Sequence, residues 1–336
     1  MTEVPRPAQH HAVLAQPVVP IPADRRPHAG PIAVLPSPKE IFVQAVVAGG
    51  GEVEELSPST RAIVWLSYTR AAELTGILRA NPQIEWVQLP WAGVDAFAGV
   101  LAQFAGKDLP LWTSAKGAYS QPVAEHALAL ALALLRVLPT RVRATSWSTI
   151  PEGRSLFGLN VLIIGAGGIA LELIRLLEPF GTHISVVRRG AEPVPGAEKT
   201  LTSDHLMEVL PTADVVFIAA ASTADTRHLI GAKQLAVMKE TAVLVNIARG
   251  PLIDTDALVH ALAAGSIAGA GLDVTDPEPL PSGHPLWAEP RAIITPHSAD
   301  TPDMTAPLLA ERIRANVAAL LGDGRFEGVV DPAAGY

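Results

Sequence analysis

The stretch "NVLIIGAGGIALELIRLLEPF", residues 160–180, decides the fold. "NVLIIG" is a short apolar strand that runs straight into "GAGGIA" at Gly165–Ala170, and "LELIRLLEPF" continues as a helix. The turn reads G-x-G-x-x-A. Gly165 permits a tight turn after the strand. Gly167 lets a pyrophosphate approach the backbone where a helix presents its positive end, with Gly168 and Ile169 completing the loop. Ala170 at the third position still allows close helix–strand packing. A plain turn needs no second glycine, so the strand–turn–helix context points to a dinucleotide site.

Working outward, the strands "NVLIIG", "HISVV", "DVVFIAA", "AVLVNI", "GAGLDV" and "AIITP" alternate with helices such as "LMEVLP" and "TDALVHALAAG". Six strands with crossovers suit a complete dinucleotide-binding domain, expected over residues 116–299. Upstream, from Pro31, a separate series begins. "PIAVLP", "EVEEL", "AIVWLSY" and "IEWVQLP" read as strands, "KEIFVQAVVA" and "AAELTGILRANP" as helices. That alternation makes a second mostly parallel sheet over residues 31–115. The expected class is therefore α/β with two doubly wound parallel-sheet domains. Residues 1–30, rich in Pro and His, read as an irregular arm or frayed tail.

Two helices do not fit a simple alternation. "SQPVAEHALALALALLRVLP" has a capping Ser120, Pro122 in its first turn and a stop at Pro139. It is apolar nearly all round from Val123 to Leu138. It is either a core helix of one domain or one buried between domains or subunits. The last helix, within residues 300–336, has no further strand to serve and is expected to return to the first domain.

Composition narrows the function. The chain has 336 residues, 49% hydrophobic and 17% charged, which suits two domains with large cores. A net charge of −8 without a basic cluster argues against nucleic acid or an anionic membrane as partner. No apolar run reaches the roughly 18 residues of a membrane span, and the N-terminus lacks the layout of a secretion signal. With no cysteine, disulfides and thiolate chemistry are excluded, which fits a reducing cytoplasm. No histidine–carboxylate group has metal-ligand spacing, so no metal is expected.

Chemistry gathers at the ends of strands. The second cofactor-domain strand ends in Arg188 and Arg189. A carboxylate usually stands there to bind the ribose 2′-OH of NAD. Two guanidiniums suit the 2′-phosphate of NADP, so NADP(H) is favoured with NAD(H) still possible; the plainer reading is a solvated strand end. Arg249 follows "AVLVNI", Asp273 and Glu278 follow "GAGL", and His297 follows "AIITP". All lie where open parallel sheets bind ligands. A lone histidine is weak evidence; one that shares an edge with a carboxylate and an arginine is stronger.

With these motifs in order, the chain resembles the D-isomer-specific 2-hydroxyacid dehydrogenases from about Pro82 onward. The resemblance rests on "PWAGVD" (90–95), "VAEHALAL" (123–130), "GAGGIA", "VNIARGPLID" (245–254), "GAGLDVTDPEPL" (269–280), "HPLW" (284–287) and "TPHSA" (295–299). It implies a Rossmann domain inserted in a flavodoxin-like substrate domain that the last helix rejoins, and a homodimer formed through the cofactor domain. It implies that Arg249 binds the substrate carboxylate and keto oxygen, that His297 is proton donor and acceptor, and that Glu278 hydrogen-bonds His297. Asp273 would hold the nicotinamide end, and the segment Trp91, Ala92, Gly93 and Val94 would meet the substrate. Ala220, Ala221, Ile247 and Ala248 would line the cofactor. Among the departures from the family pattern, Ala221 stands where proline is usual, and the chain stops short of a regulatory domain.

The expected function is hydride transfer between NAD(P)H and a small 2-keto acid or D-2-hydroxy acid, of glyoxylate or hydroxypyruvate type. A planar carboxylate beside a carbonyl suits a guanidinium fork at Arg249. The alternative is a dinucleotide-sensing regulatory protein on the same fold, without turnover. Of Trp65, Tyr68, Trp86, Trp91 and Trp112, most are expected in the core, with Trp91 the one to face a ligand.

Overall fold

The computed structural model describes residues 9–15 and 17–334, so the arm's first eight residues and Gln16 lie outside the described residues. The chain divides into two compact units at Tyr119/Ser120 and Thr301/Pro302.

The first unit holds β1 (Ile32–Leu35), β2 (Ala62–Trp65), β3 (Trp86–Gln88) and β4 (Leu111–Thr113), all parallel in the order β1-β2-β3-β4. β2, β3 and β4 are buried at every residue, which matches their apolar composition. Ile63, Trp65, Leu74, Val87, Phe97 and Trp112 share one core. The helix Glu40–Ala48 packs against the helix Pro302–Leu321, so the last helix of the chain belongs to this unit. Arg312 of that helix is almost wholly buried. It is satisfied by Glu327 at 3.0 Å and by the carbonyl of Ser114 at 2.7 Å.

The expected strand at "EVEEL" does not form. Only Val53 bridges to Ile32. The Glu54 carboxylate instead accepts from the hydroxyls of Ser57, Ser59 and Thr60 at 2.7–2.9 Å, which curls the chain away from the sheet. The described part of the arm is irregular apart from one 3₁₀ turn at Ala23–Arg25. It is tied down: Val13 N–H donates to Gly117 O and Ile21 N–H to Gly324 O, both at 2.9 Å.

The second unit holds β5 (Asn160–Ile164), β6 (His183–Arg188), β7 (Lys199–Thr202), β8 (Val215–Ile218), β9 (Val243–Asn246), β10 (Gly269–Leu272) and β11 (Ala292–Ile294). All pair in parallel, in the order β11-β10-β9-β8-β5-β6-β7. The α/β class with two parallel sheets is as the sequence predicts. The six expected strands are joined by a seventh. β7 is an edge strand of sequence KTLT with no buried residue, so it carries no apolar signal.

The helix Ser120–Leu135 packs on the helix Gly168–Leu177 and on β9 and β10. Glycines in β10 let it come close: a Cβ at Gly271 would lie 3.0 Å from Leu130 Cβ. Within a single chain, Glu125 and Ala129 of this helix are exposed. The helix ends before Pro139. Val137 turns left-handed at φ 55°, and Pro139 enters the first turn of a short helix, Leu138–Arg141. There its missing N–H costs nothing.

Candidate active site

The strand order reverses between β5 and β8, and such a switch opens a crevice at the carboxyl ends of the strands. Gly165, just past β5, has φ +113°, and a Cβ there would lie 2.4 Å from the carbonyl oxygen of Ala219. Only glycine fits. Gly167 has open space where its Cβ would project. Behind it the helix Gly168–Leu177 starts with no side-chain cap, leaving its first N–H groups for a ligand. Ala170 is fully buried under the sheet. An open glycine cradle at an uncapped helix start fits a pyrophosphate. Ala220 and Ala221 follow β8 across the switch, and Ala221 O accepts from the Thr226 hydroxyl at 2.9 Å.

Arg188 is the last residue of β6, the strand beside β5. Its guanidinium lies 3.6 Å from the carboxylate of Glu192, a side chain that is mostly solvent-exposed, and also reaches the Glu192 carbonyl at 3.3 Å. Arg189 follows it directly.

Arg249 follows β9 on a turn built around Asn246, which is wholly buried. Asn246 Nδ2 donates to Arg249 O at 2.8 Å, and its Oδ1 accepts from Ala248 N–H at 3.0 Å. Arg249 Nη1 donates to Ala248 O at 2.6 Å. Ile247 and Ala248 are buried. The next residue, Gly250, presses on the loop after β10: a Cβ there would fall 1.8 Å from the carbonyl oxygen of Thr275. The Arg249 turn and the Glu278 loop are thus in contact through a glycine.

His297 and Glu278 meet. The imidazole Nδ1 lies 2.7 Å from Glu278 Oε1, and both side chains are partly exposed. His297 has φ +49°, a conformation that side chains rarely adopt. Its N–H donates to the carbonyls of Asp273 at 2.8 Å and Thr295 at 2.9 Å. Asp273 is buried, and its carboxylate faces the same loop. Oδ1 accepts from the Thr295 hydroxyl at 2.6 Å and Ser298 N–H at 2.9 Å, and Oδ2 accepts from Ala299 N–H at 3.1 Å. Burial pushes the Asp300 carboxyl up to about 6, an effect that His297 opposes and Asp273 reinforces.

In the first unit, Trp91, Ala92, Gly93 and Val94 follow β3. Trp91 and Ala92 are exposed, Gly93 is half-buried and Val94 is buried. Trp91 stands edge-on to Tyr119, with ring centroids 5.8 Å apart. Trp65, Trp86 and Trp112 are core residues.

A family model described as the D-isomer specific 2-hydroxyacid dehydrogenase, NAD binding domain, matches residues 128–299. The chain belongs to the D-isomer specific 2-hydroxyacid dehydrogenase family. A Corynebacterium melassecola protein described only as uncharacterized, from the proB 3′ region, is 38% identical over 301 residues, 87% of this chain and 95% of the relative. Glyoxylate/hydroxypyruvate reductase B of Escherichia fergusonii is 31% identical over 299 residues, 84% of this chain and 91% of that enzyme. Among solved structures, a D-isomer specific 2-hydroxyacid dehydrogenase of Xanthobacter autotrophicus Py2, in complex with NADPH and MES, superposes with a TM-score of 0.77. It is 26% identical and covers 92% of this chain and 100% of its own.

As a member of that family, the chain carries a nicotinamide-cofactor unit and a hydroxy- or keto-acid chemistry. Sequence reasoning did not single out Asn246, Gly250, Thr295 or Asp300. Asn246 left one signal, a polar residue closing an otherwise apolar strand. Among the described residues, no cluster of three or more His, Asp or Glu gathers to hold a metal, and no helix is long and apolar enough to cross a membrane.

Proposed function

We propose that the chain is a reductase of small 2-keto acids, of glyoxylate or hydroxypyruvate type, that yields the D-2-hydroxy acid and favours NADPH. The observation that carries this reading is the 2.7 Å contact between His297 and Glu278, on the edge where Arg249 also stands. A bound nicotinamide supplies the hydride. The chain's own residues do the rest. Arg249 binds the carboxylate and the carbonyl oxygen as a fork and stabilises the negative charge that grows on that oxygen. Glu278 holds His297 through Nδ1, which leaves Nε2 to give a proton to the oxygen. In the oxidative direction His297 takes the proton back.

Arg188 at the end of β6 supports NADPH, because a guanidinium attracts the 2′-phosphate where a carboxylate would repel it. A homodimer through the cofactor unit is part of this reading. The segment after the long helix exposes Val142, Trp147 and Ile150, and Trp147 is 92% exposed. Apolar side chains so placed suit a second copy.

The experiment is a panel of 2-keto acids, assayed with NADPH and with NADH. Turnover with glyoxylate or hydroxypyruvate supports the reductase. Tight cofactor binding without turnover on any member would favour the regulatory, dinucleotide-sensing reading instead.

A further inference from the structure

His126 lies in the middle of the helix Ser120–Leu135, and no part of the proposed reaction uses it. Its side chain is mostly buried, with 23% exposed. Nε2 lies 2.9 Å from Thr295 Oγ1 and 3.5 Å from Asp273 Oδ1. The direction of these bonds follows from the chemistry of the groups. The Asp273 carboxylate only accepts, so the single hydroxyl proton of Thr295 goes to Asp273 across 2.6 Å. Toward His126 the Thr295 oxygen is then an acceptor, and Nε2 must carry the proton. The chain of donors runs from His126 to Thr295 to Asp273.

Asp273 is where that chain meets the site. Its two oxygens hold the N–H groups of Ser298 and Ala299, and its own carbonyl holds the N–H of His297. These bonds brace the one loop residue with a left-handed φ, and a strained backbone of that kind persists only where its surroundings over-determine it. Without Nε2 of His126, the Thr295 hydroxyl oxygen loses its donor, and the Thr295 side chain loses one of the two contacts that hold it against Asp273.

We propose that His126 is a positioning residue for His297. It acts through Thr295 and Asp273, from a different element of the cofactor unit, and fixes the loop Thr295–Ala299. The inference rests on the reductase reading only for its kinetic consequence; the hydrogen-bond relay stands apart from it.

The test uses the full chain and three variants: His126→Leu, which removes the donor; His126→Gln, whose amide can replace Nε2–H; and Thr295→Val, which breaks the relay from the other side. Amide hydrogen exchange at Ser298 and Ala299 is measured without substrate, beside kcat and KM for glyoxylate and the Kd for NADPH. In His126→Leu and Thr295→Val, those amides should exchange about tenfold faster or more. Their kcat should fall about 10- to 100-fold, because a misplaced catalytic group loses its alignment, with the NADPH Kd little changed. His126→Gln should restore both readouts. Unchanged exchange in both His126→Leu and Thr295→Val overturns the proposal, and so does a His126→Gln variant as impaired as His126→Leu. If the wild type turns over no keto acid, the reductase reading fails, and the exchange rates alone decide the relay. Should His126→Leu not fold, Thr295→Val and His126→Gln decide it.

Discussion

Asn246 grips the Arg249 turn from both sides, donating to the carbonyl of Arg249 at 2.8 Å and accepting from Ala248 N–H at 3.0 Å. A buried amide committed in this way fixes where a charged side chain begins. Asn246→Ala would leave the Ala248 N–H unpaired, at a cost of about 1–3 kcal/mol, and would leave the Arg249 carbonyl only its longer bond from Leu252 N–H at 3.3 Å. The expected result is a lower unfolding midpoint in denaturant together with a higher KM for the keto acid. Wild-type KM in a destabilised variant would show that Asn246 serves stability alone.

His297→Asn should nearly abolish turnover while cofactor affinity stays close to normal. A positioned proton donor contributes about 10²–10⁴-fold, so a variant that keeps more than about a tenth of the activity removes His297 from that role. Arg249→Lys should raise KM sharply and lower kcat, because a point charge does not replace the fork. Steady-state kinetics on both variants check this.

Cofactor choice should follow the Arg188 guanidinium. One hydrogen bond to a charged group is worth about 1.5–3 kcal/mol, or roughly a 10- to 150-fold preference for NADPH over NADH in kcat/KM. The preference should shrink with added salt. Arg188→Asp combined with Arg189→Ser should lose most of it through KM for NADPH. Glu192 competes for the same guanidinium at 3.6 Å, so Glu192→Gln should tighten NADPH binding and leave NADH binding nearly as it was. Equal use of the two cofactors by the wild type would sink the assignment.

The Asp300 carboxyl titrates near 6 in the fold, above its ordinary value of about 3.9. Between these values the native state holds a proton that the unfolded chain has released, so this group lowers stability as pH rises from about 4 to 6. Asp300→Asn removes that penalty. Relative to wild type, the variant should gain stability across this window, reaching about 1–3 kcal/mol near neutral pH, and level off above it. Thermal unfolding at several pH values reads the difference. A pH-independent offset would assign the effect to packing instead.

How far the molecule is legible in its sequence depends on what each residue does. Strands β5, β6, β8, β9, β10 and β11 announce themselves because they are apolar runs closed by turns. β7 does not, since an edge strand of KTLT buries nothing. "EVEEL" misleads because alternation says nothing of the three hydroxyls that capture Glu54. Pro139 marks a helix start rather than a stop because Val137 has already turned the chain. At the site, Arg249, Glu278 and His297 can be placed on one edge by counting from strand ends. Asn246, Thr295 and His126 cannot, because their work is done through bonds to loops that no periodicity records.

The last helix packs on the helix Glu40–Ala48, so the first unit is made from both ends of the chain while the second is one unbroken segment. Synthesis runs from one end to the other, and domains fold as units while the chain emerges. The cofactor unit can therefore finish first. The first unit cannot complete its packing until Arg312 and its helix arrive, so its two segments meet only after the whole of the second unit has been made.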